Sequence, residues 1–309
     1  MSDMPADNPI IAALRGAMPG LTDHDAPRFA RAITLAEPYQ PGPDAQPRPG
    51  VPEGRLSAHR HRGESVYRGV ERNYQVYVPA QVDAARPASL IVFQDGSGYL
   101  GPETNARVVL DNLIAARQIP QTIAVFVDPG EQGPGLPIYG GKSNRSVEYD
   151  STDDAYARFL VDELLPVALE GLNVSADPRD RAIVGISSSA QAAFTAAWHR
   201  PDQFSRVISH IGSFVDIRGG HEWPTRIRKT PRKPLRVWLQ DGDADLDIVY
   251  GHWFHANQQM AAALAYAGYD HQFVVGSGGH SIKHGGALLP DALRWSWRDH
   301  PGVDCATSA

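Results

Sequence analysis

The sequence has very little cysteine, no long apolar run and no excess of basic charge. Its single cysteine, Cys305, has no partner for an internal disulfide, which favours a reducing compartment. No stretch reaches the roughly 20 apolar residues that cross a bilayer. A net charge of -6 argues against nucleic acid or an anionic membrane as a partner. The first residues, MSDMPADNP, lack the basic and apolar regions of a signal peptide, so we expect a cytoplasmic protein.

Proline-rich sequence sets the beginning of the chain apart from the remainder. Residues 1–63 carry frequent prolines and little apolar periodicity, which predicts an N-terminal extension without a core of its own. Two short helices are expected within it, over 10–18 and 26–35. The remaining chain of this 309-residue sequence is predicted to form one α/β domain, residues 64–300, and a C-terminal tail, residues 301–309.

Strand patterns alternate with helix patterns after residue 64. Residues 65–67 and 72–78 alternate polar with apolar side chains, which predicts an antiparallel pair at one edge of a sheet. Continuous apolar runs, typical of strands buried on both faces, follow at 89–93, 123–127, 182–184, 206–211, 235–239 and 271–275. Helical apolar stripes lie between these runs, at 105–114, 156–172 and 258–266. The pattern predicts an α/β fold with a doubly wound, mostly parallel sheet and an antiparallel N-terminal edge.

The stretch RAIVGISSSAQAAF, residues 181–194, has the pattern of a buried strand, a sharp turn and an Ala-rich helix. An α/β-hydrolase places its nucleophilic serine on such an elbow, within the signature Gly-x-Ser-x-Gly. Gly185 and Ser187 fit this signature, and Ser189 stands at the position of the second glycine. Small residues there let the strand and helix backbones pass closely, and serine is the next smallest after glycine and alanine. We therefore predict Ser187 as a nucleophile.

An acidic loop and a histidine loop each follow a later predicted strand. The aspartates come after the strand predicted over 235–239, and a Gly-rich loop ending in His280 comes after the next one. The order Ser, Asp, His is that of the α/β-hydrolases. A serine hydroxyl needs an imidazole to take its proton and a carboxylate to orient that imidazole. We predict His280 as the base and Asp245 as the acid, with Asp247 and then Asp241 as alternatives.

Two backbone amides are predicted to form an oxyanion hole. One is the amide of Ser188, which follows the nucleophile, and the other belongs to the loop after the strand predicted over 89–93. In that loop Ser97 is the first choice and Gly96 the second, because the glycines let the backbone turn an N–H toward the elbow. Asp95 is interpreted as a cap of the following helix.

Residues from about 64 to 297 resemble the putative-esterase family of α/β-hydrolases, which includes enterochelin esterases, feruloyl esterases and mycolyltransferases. The matching features are Asp95-Gly96, Arg145-x-x-Glu148-Tyr149, the elbow, Gly242-x-x-Asp245, Gly278-Gly279-His280, Trp295 and Trp297. In that family two glycines usually continue the elbow, where this chain has Ser189 and Ala190. The resemblance implies esterase-type acyl chemistry on a small-molecule ester, without a metal or a cofactor.

Other interpretations are less favoured but stay open. The same triad would serve an acyltransferase, and a non-catalytic binding protein on this scaffold is a second class. His280 and His284 have i,i+4 spacing, but a Gly-rich turn is not a helix face that presents two metal ligands. The basic run over 226–233 is expected to be a solvated loop. The sequence leaves the oligomeric state open, a homo-oligomer included.

Aromatic side chains follow several predicted strand ends and are candidates for a substrate wall. Tyr139 ends a Gly- and Pro-rich loop, Trp223 lies in a later loop, and Trp253 and Phe254 come just after the acidic loop. These side chains either line a pocket for a bulky acyl group or pack the loops, and the sequence does not distinguish the two.

Overall fold

The computed structural model describes residues 8–18, 20–134 and 143–304, and its main feature is an eight-stranded sheet. The strands are β1 (Arg55–Arg62), β2 (Glu71–Val78), β3 (Ser89–Gln94), β4 (Thr122–Val127), β5 (Arg181–Ile186), β6 (Arg206–His210), β7 (Arg236–Gly242) and β10 (Asp270–Gly276). Their order is β1-β2-β4-β3-β5-β6-β7-β10. The pairs β1–β2 and β2–β4 are antiparallel and the others are parallel, which confirms the predicted sheet. A separate short hairpin is formed by β8 (Asp247–Ile248) and β9 (Gly251–His252).

Helices cover both faces of the sheet. They are α1 (Pro9–Ala17), α2 (Asp25–Thr34), α3 (Gly96–Tyr99), α4 (Ala106–Ala115), α5 (Arg145–Tyr149), α6 (Ala155–Arg158), α7 (Leu165–Ala168), α8 (Ser188–His199), α9 (Trp223–Lys229), α10 (Trp253–Tyr266) and α11 (Lys283–Trp297). A π-helical turn, Phe159–Leu164, joins α6 to α7. Among the described residues, none of these helices is both long enough and apolar enough to cross a membrane.

Alternate side chains of each central strand enter different cores. In β3, Leu90 and Val92 pack with α8 and the helices around it, whereas Ile91 and Phe93 pack with α4 and α11. All four are fully buried. A parallel strand with both faces covered must be apolar throughout, which is why β3 appeared in the sequence as an unbroken apolar run.

The antiparallel edge differs from the prediction in its first strand. Residues 65–67 are not a strand but lie in the turn between β1 and β2, where Tyr67 packs against Phe159. The outer strand that pairs with β2 is β1, Arg55–Arg62, a polar stretch at the sheet edge. An edge strand has solvent on one side, so its sequence lacks the apolar signal of an inner strand.

The segment before β1 contains the two expected helices, α1 and α2, which pack on each other around Ile11 and Ala26. Because β1 belongs to the main sheet, the stretch predicted as an extension, residues 1–63, includes a strand of the sheet. At the other end, Asp304 N donates to Arg117 O at 3.0 Å. Cys305 and the remaining residues of the predicted tail lie outside the described part of the chain.

A buried ion pair fixes the segment that follows β4. Arg72 and Glu148 pair with fully buried side chains, and the Arg72 guanidinium lies 3.9 Å from the centre of the Phe159 ring. Glu148 Oε1 also accepts from Gly130 N at 3.2 Å and from Asn144 Nδ2 at 2.5 Å. A buried carboxylate with this many donors holds its chain segment firmly. The pair thereby sets the position of α5, whose first residue is Arg145.

Candidate active site

Ser187 lies on a sharp turn between β5 and α8, as predicted. Its backbone has φ 57° and ψ -125°, a conformation that costs free energy for any residue other than glycine. A Cβ on Gly185 would lie 2.1 Å from Ser189 O, so only glycine allows the strand and the helix to approach this closely. The first glycine of the signature is therefore required by packing.

Ser189 fits the elbow although the related signature has glycine there. Its side chain is fully buried, and its Oγ accepts from Ile186 N at 2.8 Å and lies 2.7 Å from Ile186 O. The hydroxyl thus bonds the last residue of β5 at both backbone groups. This serine closes the turn with hydrogen bonds that glycine does not offer.

Three predicted residues come together at the carboxyl ends of β5, β7 and β10. Ser187 Oγ lies 2.8 Å from His280 Nε2, and His280 Nδ1 lies 2.6 Å from Asp245 Oδ1. Because Nδ1 faces a carboxylate, it carries the proton, and Nε2 is left to accept from the serine hydroxyl. The arrangement has the geometry of a nucleophile, a base and an orienting acid.

The two alternative acids occupy different places. Asp247 is exposed and its carboxylate pairs with Arg28 at 2.9 Å. Asp241 is fully buried, its carboxyl accepts from Asn257 Nδ2 at 2.8 Å, and it lies close enough to Asp245 for that carboxylate to raise its pKa. Two carboxyl groups in contact cannot both ionise readily. Asp241 is therefore a neighbour of the acid rather than a partner of His280.

Burial dominates the electrostatics of the site. It lowers the pKa of His280 to about 4, so the imidazole is neutral at neutral pH. It raises the pKa of Asp245, and it raises the pKa of Asp241 well above the usual aspartate value. Of the two carboxyls, Asp245 is the one that faces the imidazole, with its Oδ1 2.6 Å from His280 Nδ1.

Ser213 belongs to this constellation, and the sequence analysis did not identify it as a site residue. Its Oγ lies 3.1 Å from Ser187 Oγ and accepts from Trp253 Nε1 at 3.0 Å, while its N donates to Ser187 O at 3.0 Å. The sequence signal was its position just past β6, the strand next to the elbow strand. Ser213 therefore contacts Ser187 through both its backbone and its side chain.

The two predicted oxyanion donors differ in availability. Ser188 N is the first amide of α8, and the first amides of a helix have no intrahelical acceptor. Ser97 N, in contrast, donates to Asp128 Oδ1 at 2.9 Å, and Ser97 is exposed. The next two residues, Gly98 and Tyr99, line the cavity above Ser187. The amide of Ser97 is thus engaged away from the serine in this structure.

Asp95 is not a helix cap, contrary to the interpretation of its sequence. Its backbone is left-handed, and its carboxylate makes no capping bond to α3. It instead binds Arg145, with Nε and Nη2 of the guanidinium within 3.0 and 2.7 Å of the carboxylate oxygens. The partner lies 50 residues away in sequence, so the local pattern could not indicate it.

A cavity of about 380 Å³ opens over Ser187. Its described apolar lining consists of Phe29, Tyr99, Ile186, Ile211, Ile217, Leu246, Ile248, Trp253 and Ile282. Trp253 therefore lines the cavity, whereas Trp223 is fully buried in the core. Tyr139 lies outside the described residues. Apolar walls around a few convergent polar groups are typical of a small-molecule site.

His284 lies four residues after His280 but does not join it in a ligand set. Its Nδ1 lies 2.9 Å from Gln240 Nε2, and its ring stacks on Tyr39 with centroids 4.0 Å apart. Within residues 8–18, 20–134 and 143–304, the side chains of histidine, cysteine and the acids form no group of three arranged to hold a metal ion.

The strand order and the serine elbow at the sheet's carboxyl edge define an α/β-hydrolase fold. The family described as "Putative esterase" matches residues 65–296, and the chain belongs to that family. A curated relative is the Iron(III) enterobactin esterase of Dickeya dadantii (strain 3937), 28% identical over 241 residues. The match covers 73% of this chain and 51% of the relative, so the chain spans about half the length of that protein.

Solved structures share the fold at low sequence identity. The enterobactin esterase from Shigella flexneri superposes with a TM-score of 0.66 at 19% identity, covering 84% of this chain and 63% of that one. A ferulic acid esterase from Anaeromyces mucronatus superposes with a TM-score of 0.64 at 15% identity, and the match covers 86% of this chain and 99% of that one. Both are esterases by name, and their similarity establishes the fold.

Proposed function

We propose that the protein is a serine esterase that hydrolyses a small-molecule carboxylic ester through an acyl-enzyme. The observation that carries the proposal is the line of two hydrogen bonds, from Ser187 to His280 and from His280 to Asp245, at the floor of an apolar cavity. Membership of an esterase family supports the same reaction class.

Each step assigns one task to each side chain. His280 Nε2 takes the proton from Ser187 Oγ as that oxygen bonds the ester carbonyl carbon, and the imidazolium then gives the proton to the departing alcohol. Water, deprotonated by the same nitrogen, attacks the acyl-enzyme and releases the acid and the free serine. Asp245 holds the Nδ1–H tautomer and stabilises the imidazolium while it exists.

The negative charge on the carbonyl oxygen needs amide donors. Ser188 N–H is the first, because it is the free first amide of α8 and directly follows the nucleophile. Ser97 N–H is the second predicted donor. It donates to Asp128 Oδ1, so the oxyanion must replace that carboxylate as its acceptor.

The walls of the cavity favour a neutral ester with an apolar acyl group. Arg145 is the one formally charged side chain among the described lining residues, and Asp95 already neutralises it. An anionic acyl group would therefore lose its hydration without gaining an unpaired cation. An alkyl or aryl acyl group is stabilised when it leaves water for this apolar cavity, because no charge has to be desolvated.

A series of p-nitrophenyl esters tests this proposal. From acetate to longer straight acyl chains, kcat/KM is expected to rise by up to about fourfold per methylene, since each buried methylene contributes about 0.8 kcal/mol. The rise ends when the cavity is full. The p-nitrophenyl hemisuccinate, which resembles the butyrate but carries a charge, is expected to react much more slowly than the butyrate.

Turnover and product analysis separate the alternatives. Absence of any hydrolysis, together with absence of labelling by a fluorophosphonate, would favour a non-catalytic binding protein and reject the esterase. Acyl transfer to an added alcohol in preference to water would instead identify an acyltransferase with the same triad.

The rate is expected to fall on acidification with a midpoint below pH 6.5. Only neutral His280 can accept the serine proton, and burial lowers the pKa of His280 from its usual 6.5. Lowering the pH through the depressed value protonates the imidazole and stops the reaction, whereas raising it above 6.5 leaves the imidazole neutral. The acid limb of kcat/KM, measured in a pH-stat with a butyrate ester, checks this. A midpoint at or above 6.5 would contradict it.

A further inference from the structure

Residues 25–39, here called the strap, run across the loop that carries His280. Ala32 O accepts from His280 N at 2.9 Å. Glu37 Oε1 accepts from Gly279 N at 3.1 Å and from Ser281 Oγ at 2.8 Å. The backbone of the histidine and both residues beside it are therefore bonded to the strap.

The strap packs so closely against two glycines near His280 that neither position has room for a side chain. A Cβ on Gly279 would lie 2.0 Å from Ala32 O, and one on Gly276 would lie 2.3 Å from the Tyr39 hydroxyl. That hydroxyl also accepts from Ser277 N at 2.9 Å. These glycines are thus required at this position because another part of the chain packs against them.

The strap is attached at both of its ends. Near the start, Asp25 Oδ1 accepts from Val249 N at 3.1 Å, and Arg28 pairs with Asp247 at 2.9 Å. At the other end, the Tyr39 ring stacks on His284. Between these attachments, Phe29 forms part of the cavity wall above Ser187.

We propose that the strap is an integral part of the active site, in which Glu37 is a positioning residue for His280 and Phe29 is a wall of the acyl cavity. The proposal rests on the serine-esterase function proposed above. Glu37 touches neither Ser187 nor the reacting atoms; it acts by holding the residues on both sides of the histidine. A shift of about 1 Å in a catalytic group can cost on the order of a hundredfold in rate.

Glu37 also contributes a charge to the surroundings of His280. The titratable and charged groups facing the imidazole are Asp245 from the loop after β7, Asp241 from the end of β7, Arg145 from α5, and Glu37 from the strap. The negative charge of Glu37 raises the pKa of His280, against the larger lowering by burial. Positioning and charge can therefore be separated by two substitutions.

Two variants of Glu37 test the proposal with a p-nitrophenyl butyrate assay. Glu37→Ala removes the acceptor, and kcat is expected to fall on the order of a hundredfold with little change in KM. Glu37→Gln keeps the acceptor oxygen but removes the charge. It should retain most of the rate at pH 8 and move the acid limb to lower pH. Glu53→Ala, which removes an exposed carboxylate paired with Arg107, is the matched control and should leave kcat unchanged.

The results of these experiments test the role of the strap separately from the proposed esterase function. Wild-type kcat in Glu37→Ala would overturn the positioning role, and an acid limb in Glu37→Gln that does not move would overturn the effect of the Glu37 charge on His280, while the esterase stands in both cases. If Glu37→Ala fails to fold, Glu37→Gln still tests the positioning role, because a large loss of kcat at pH 8 in a variant that keeps the acceptor oxygen would contradict it. Phe29→Ala should shift the preferred acyl chain to longer esters, and an unchanged preference would remove Phe29 from the wall. Absence of hydrolysis by the wild type would reject the proposed function itself.

Discussion

Replacing Ser187 with alanine is expected to lower kcat on the order of a millionfold, the size of loss seen when a hydrolase loses its nucleophile. The hydroxyl proposed to accept the acyl group lies 2.8 Å from His280 Nε2, and alanine leaves nothing for the imidazole to deprotonate. Steady-state hydrolysis of p-nitrophenyl butyrate measures the loss. Covalent labelling by a fluorophosphonate should disappear at the same time.

The neighbouring serine provides the control for this experiment. Ser189 carries a hydroxyl of the same kind, but it bonds the backbone of Ile186 and points into the turn. Ser189→Ala should therefore still be labelled. Labelling that survives Ser187→Ala and vanishes in Ser189→Ala would show that the nucleophile is a different serine.

Asp245→Asn is expected to lower kcat on the order of ten-thousandfold while leaving the fold intact. An asparagine amide would donate to His280 Nδ1 or force the other tautomer, so Nε2 could no longer accept the serine proton. Asp247→Asn, by comparison, removes the exposed ion pair with Arg28 but keeps the bond from Arg28 to Asp247 O, so it should lower kcat far less than Asp245→Asn. Parallel kcat and thermal-melting measurements on both variants check this.

Asp241, the buried neighbour of Asp245, provides the result that would contradict this assignment. If Asp245→Asn retained its rate and Asp241→Asn lost it, the acid of the triad would be Asp241 and the pairing seen here would not be the working one. Equal, modest losses in both variants would show that the two carboxyls share the task.

The inner strands and the serine elbow could be predicted because their signals are local. The apolar run of β3 reflects burial on both faces, and the residues around Ser187 show the strand, turn and helix in order. The proximity of Asp245 and His280 could be predicted because each follows the end of a parallel strand, and such ends meet at one edge of the sheet. Residues that follow successive parallel strands in the sequence thus lie close together in the folded protein.

Features that depend on distant partners could not be predicted. β1 carries a polar edge sequence that indicates a strand only once β2 is beside it. Asp95 has a local context that suits a helix cap, yet Arg145 outcompetes the helix for its carboxylate. Glu37 lies in a Pro-rich stretch with no motif at all, and only the folded chain shows which loop it contacts.

The contact between Glu37 and Ser281 joins positions 244 residues apart, which bears on how the protein is made. At about 5–20 residues per second, the ribosome needs roughly 12–50 s to synthesise the histidine loop after the strap. During that interval the strap has no histidine loop to bind, and closing so long a loop comes late in folding. A nascent chain would therefore make the proposed nucleophile before the proposed base, and the site that contains both can form only after the histidine loop has been synthesised.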